Sequence, residues 1–182
     1  EGLQVVGAFV GALSAVFMMR WLGSTSQIPF YGALLFAMLG GMVYAMLHAL
    51  LCIKFKANQV ISGVVINILG MALTAFLTKA VNKGVFGATS DKFVLGVSQR
   101  ITIPVLSEIP VIGGIFQQIY PFEFIIIVVA IIAWYVLYKT RFGLHLRACG
   151  DNPHAVDAAG INVGKVRLVA VMVSGALSGL AG

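Results

Sequence analysis

Apolar residues in this chain come in long continuous runs, not in the alternation of a half-buried sheet. The runs cover residues 2–19, about 30–52, about 60–77 and about 122–138, and a further one opens near residue 166. A helix crosses the hydrocarbon core of a bilayer with about 20 apolar residues. Backbone polar groups have no partner in lipid, so only helices and closed barrels span it. The runs lack the ten-residue alternating segments of barrel strands, which leaves helices. The pattern predicts an all-α, polytopic transmembrane helical bundle with four full spans, forming a single domain over residues 1–182. The last run holds about 16 residues before the chain stops, short of the roughly 20 a crossing needs, and reads as a truncated fifth span. The chain also begins at Glu1, and both ends point to a piece of a longer protein.

Small residues recur inside the runs at helical spacing. Ala33, Ala37, Gly41, Ala45 and Ala49 fall every four positions, as do Gly7, Gly11 and Ala15, and Gly175 with Gly179. In lipid, hydrophobicity supplies no attraction between helices, and small residues let backbones approach closely enough for van der Waals packing. These stripes predict helix packing. Polar residues are few: His48, Ser62, Asn67, Thr74 and Thr78, with Gln59 at the edge of the third run and Glu123 at the start of the fourth. Intramembrane polar groups face a bundle interior or a wet path. Gln59, Ser62 and Asn67 are therefore candidate pathway residues, and an interhelical hydrogen bond is the competing role for Asn67. His48 and Glu123 sit near the interface, where solvation or structure accounts for them.

Charge decides orientation. Residues 141–167 carry Arg141, Arg147, Lys165 and Arg167, and the link 52–59 carries Lys54 and Lys56. Two spans separate these segments, so both lie on one side, which the positive-inside rule makes cytoplasmic. The segment 79–121 then lies outside despite Lys79, Lys83, Lys92 and Arg100; its "IPVLSEIPVIGGIFQQIYP" reads as a short amphipathic or re-entrant element between prolines. Hydrophobic residues make up 60% of the chain and charged ones 10%, too few charges to cover a soluble domain. The net charge of +6 sits between apolar runs without interleaved aromatics, which argues against nucleic acid as a partner. Cys52 and Cys149 make no disulfide framework.

The basic segment 140–165 interrupts the apolar pattern with "RACGDNPHAVDAAGINVGK". Asp151 or Asn152 suits an N-cap, Pro153 the first helical position, and Gly160 a C-terminal stop. The candidate element runs through Gly150, Asp151, Asn152, Pro153, His154, Ala155, Ala158, Ala159 and Gly160. Isolated helices this short are unstable. It docks either on its own bundle, as a connecting helix, or on a cytoplasmic partner.

The same residues carry a family resemblance. Arg147-Ala148-x-Gly150-x-Asn152-Pro153-x-Ala155, then Ala159-Gly160-Ile161, then Ser174-Gly175-Ala176-Leu177-x-Gly179-x-Ala181-Gly182 resembles permease subunits of ABC importers. The family is the one that carries branched-chain amino acids, ribose-type sugars and nucleosides. The stretch "ANQVISGVVINILGMALTAFL" is similar to its nucleoside and simple-sugar subgroup. Asp151 stands where that family commonly has Glu. The resemblance implies that the capped helix is a coupling helix seated in a separate ATP-binding subunit, which holds ATP and magnesium. It implies a second permease subunit, an external solute-binding protein and a multi-pass place in a bacterial plasma membrane. No cofactor is expected on this chain: Gly164-Lys165 is followed by Val166, not by the hydroxyl residue of a phosphate loop. Nor does a nucleophile–base pair or metal-ligand cluster appear in the sequence. The alternative is an ATPase-independent secondary transporter or channel, which calls for discontinuous helices or an intramembrane charge site.

Overall fold

The computed structural model describes residues 1–22, 28–87 and 121–182, and the described residues contain helices and no strand. Helix α1 is Gly2–Leu22, α2 is Ile28–Ala49 and α3 is Gln59–Val81. Helix α4 is Pro121–Lys139, α5 is Arg141–Asp151, α6 is Pro153–Ala158 and α7 is Val163–Ala181. Single π-helical turns extend α2 over Leu50–Lys54 and α3 over Asn82–Phe86. Four of these helical segments are long and apolar enough to cross a membrane, and α4 with α5 makes a fifth if the bent pair counts as one span. The element expected over residues 103–121 lies outside the described residues.

The chain divides into two compact units, Glu1–Gly96 with Asn152–Gly182, and Val97–Asp151. In the first, α2 is central, packing along both α1 and α7, while α3 packs chiefly on α1. The small-residue stripes form the contact. A Cβ on Gly11 would stand 2.9 Å from that of Ala37, and one on Gly41 would stand 2.8 Å from the Cα of Gly179. One on Gly175 would meet the Gly41 carbonyl oxygen at 2.7 Å, with Ala45 Cβ closer still. Three backbones thus touch where Gly7, Gly41, Gly175 and Gly179 leave space, and Ala33, Ala37, Ala45 and Ala49 are buried beside them. Close backbone contact multiplies the dispersion terms that hold helices together in lipid. Next to this seam Val6, Tyr44 and Ile66 form an apolar core, flanked by Leu3 and Leu51.

Helix α3 buries only Ser62, Ile66, Gly70 and Thr74, one residue per turn. Most of its remaining surface, including Val60, Ile61, Val64, Ile68 and Phe76, is exposed. Gly70 belongs to the narrow face: a Cβ there would stand 3.0 Å from the Gly2 carbonyl oxygen.

In the second unit, α4 meets α5 at a 68° bend. Thr140 makes the corner. Its hydroxyl donates to the Val136 carbonyl at 2.6 Å, closing the last turn of α4, and accepts from the Gly143 N–H at 3.3 Å, capping α5. Gly143 is buried, and a Cβ there would run into the carbonyls of Val136 and Leu137, so the corner needs glycine. Residues 141–151 of the basic segment 140–165 thus form a helix of their own ahead of the capped element.

Helix α7 begins earlier than the apolar run near residue 166. The Asn162 side chain accepts from the Lys165 N–H at 3.0 Å, and this cap draws Val163, Gly164 and Lys165 into the helix. The result is 19 residues, long enough to cross, where the apolar run alone reads as short.

Candidate functional site

The capped element resolves into two parts. Gly150 and Asp151 end α5, so the cap left open between Asp151 and Asn152 is Asn152. Its carboxamide oxygen accepts from the N–H groups of His154 and Ala155, both at 3.1 Å. Two otherwise orphaned donors are thereby satisfied, and Pro153 needs none. At the other end Gly160 takes a φ of +80°. The Ile161 N–H reaches back to the Val156 carbonyl at 3.2 Å and the Gly160 N–H to that of Asp157 at 2.9 Å. That pair of bonds is a Schellman closure, which requires the left-handed residue.

Helix α6 is thus closed at both ends in six residues. It rests on α7 through little surface, since Val156 is its one buried residue. His154, Ala155, Asp157, Ala158 and Ala159 are all exposed. The start of α7 beside it adjoins the turn that follows α2: a Cβ on Gly164 would stand 3.8 Å from Ile53 Cγ2. A small capped knob is held on one apolar pin, at the end of the bundle where Lys54 and Lys56 follow α2.

The candidate pathway residues do not form one group. Gln59 is exposed on the first residue of α3. Ser62 is buried, and its Oγ lies 2.9 Å from His48 Nδ1. The half-buried Asn67 accepts from the Gly2 N–H at 2.8 Å, which ties α1 to α3. Thr74 and Thr78 donate back to carbonyls of their own helix, at 2.8 and 2.7 Å. Two polar partners on α2 escaped the sequence reading. The Tyr44 hydroxyl donates to the Ile66 carbonyl at 2.7 Å, and Cys52 Sγ lies 3.8 Å from the His48 ring. Their signal was present, since Tyr44, His48 and Cys52 recur every four residues and share one face of the helix. Among the described residues no group of His, Cys, Asp and Glu is placed to hold a metal ion.

The family model described as branched-chain amino acid transport system / permease component matches residues 1–182. The chain belongs to that family. It is 38% identical to the guanosine ABC transporter permease protein NupQ of Bacillus subtilis, over 100% of this chain and 55% of that protein. It is 40% identical to the nucleoside ABC transporter permease protein NupC of Lactococcus lactis, again over 100% of this chain and 55% of the relative. The putative glucose ABC transporter permease protein TsgC13 of Haloferax volcanii is 32% identical, over 100% of this chain and 51% of its own length. This permease-family chain therefore spans about half the length of the curated relatives it matches. No solved structure matches it.

Proposed function

We propose that the complete protein is the transmembrane permease subunit of an ABC importer for nucleosides, in a bacterial plasma membrane, and that α6 is its coupling helix. The observation that carries the role of α6 is its construction. A six-residue helix capped at both ends, pinned by Val156 and exposed at His154, Ala155, Asp157 and Ala158, transmits a push without unwinding and offers its small residues to a cleft. Family membership and the guanosine and nucleoside permeases among its relatives support the substrate class. ATP and magnesium belong to a separate ATP-binding subunit, with a second permease subunit and an external solute-binding protein completing the transporter. Ser62 and Asn67 are engaged in helix-to-helix hydrogen bonds, so they reach a solute only when α3 parts from α2 and α1; Gln59 is open already.

The test is a crosslink in the full-length complex. Ala155→Cys, with Cys52 and Cys149 replaced, is paired with cysteines in the ATPase cleft. A crosslink that changes with ATP is expected. Its absence from Ala155 and its helical neighbours, in a complex that still takes up nucleoside, returns α6 to the status of a connecting helix. Uptake that persists without the ATPase subunit overturns the importer itself.

A further inference from the structure

The corner between α4 and α5 presents a surface that the coupling role leaves unused. Before the bend, Trp134, Tyr135 and Tyr138 are all more than half exposed. After it, Arg141, Leu144 and Arg147 follow one another at three-residue spacing along the exposed side of α5, with the exposed Lys139 immediately before the corner. The Arg147 guanidinium carbon sits 5.2 Å from the centre of the Tyr138 ring. Stacking uses the flat face of a guanidinium and leaves its N–H edge free for an anion. The acid on α5 is Asp151, in the last turn and ten positions from Arg141.

We propose that this corner is an anionic-lipid site, at which Lys139, Arg141 and Arg147 hold the phosphate of a negatively charged headgroup such as that of phosphatidylglycerol. The inference rests on α4, Pro121–Lys139, crossing the membrane without α5, and not on the coupling role of α6. A spanning α4 that ends in Trp and Tyr puts its last turn at the headgroup level, where such rings collect. The 68° bend then turns α5 toward the membrane plane, because spanning helices tilt by only about 20° on average. Leu144, between the two arginines, points an apolar side chain to the same side, as an interfacial helix requires. Paired guanidinium groups match phosphate oxygens bidentately, and the attraction adds for each basic residue near an anionic surface.

The test uses the full-length permease in lipid vesicles, with every tryptophan except Trp134 replaced by phenylalanine. Quenching of Trp134 by dibrominated phosphatidylglycerol is compared with quenching by dibrominated phosphatidylcholine. Preferential quenching by the anionic lipid is expected. The preference falls about fivefold for each arginine removed in Arg141→Gln and Arg147→Gln, the equivalent of about 1 kcal/mol per basic residue. The pair Arg141→Lys and Arg147→Lys keeps most of it and guards against misfolding of the glutamine variants. Equal quenching by the two lipids in the unsubstituted chain overturns the proposal. So does a preference that disappears when the ATP-binding subunit is bound, which assigns the basic face to that protein instead.

Discussion

Helices α2 and α4 are both apolar enough for lipid, yet they end up in opposite surroundings. Helix α2 buries Ala33, Ala37, Ala45 and Ala49 in a seam shared with α1 and α7. Helix α4 exposes Ile125, Ile126, Ile127, Val128, Ile131 and Ile132. The difference lies in side-chain size and spacing. A stripe of Gly and Ala every four residues opens a groove that another backbone enters, whereas the run of Ile and Val from Ile125 to Ile132, broken only by Ala130, keeps backbones apart. Hydrophobicity selects the solvent; small residues at helical period select the neighbour.

The largest effect expected is from Gly41→Leu. Overpacking a core costs about 1–3 kcal/mol. Here a first added carbon already stands 2.8 Å from the Gly179 backbone, so the cost exceeds that range and the folded yield in detergent collapses. Retention of thermal stability by Gly41→Leu breaks the comparison. Next comes Asn152→Ala, which strips the cap from α6. The expected loss is about 1 kcal/mol, read as faster hydrogen exchange at His154 and Ala155, with the seam around Gly41 unaffected. Tyr44→Phe removes the bond to the Ile66 carbonyl and is expected to cost about 0.6 kcal/mol in thermal unfolding, the average for interhelical hydrogen bonds in membranes. Smallest is Ile127→Val on the exposed side of α4, expected to stay within about 0.5 kcal/mol of the unsubstituted protein. A loss there as large as that of Gly41→Leu gives α4 a close-packed partner and removes the contrast.

Much of the candidate site was legible because its signals are local. Asn152, Pro153 and Gly160 act on N–H and C=O groups within a few residues, so caps and stop can be read off in order. The stripe from Ala33 to Ala49 was legible for the same reason, since period alone places its members on one face. Asn67 was half legible. Its position within a span marked it as partnered, but the Gly2 N–H that it accepts from lies 65 residues away. The length of α7 was missed because hydropathy cannot see a cap; Asn162 recruits polar Lys165 into the helix by hydrogen bonding.

By itself the sequence determined that the chain is helical and spans a membrane, that α2, α1 and α7 carry faces built for close contact, and that a capped polar helix precedes the last span. Those outcomes follow from the burial of backbone polar groups in lipid and from helical periodicity, which need no knowledge of distant residues. Only the tertiary structure decided which stripe meets which, that Tyr44 and His48 of α2 bond to Ile66 and Ser62 of α3, and that α4 turns by 68° into a basic helix. Helix contacts depend on backbones that approach from elsewhere in the chain. The corner depends on a glycine against two carbonyls, a fit that exists only once the chain has turned.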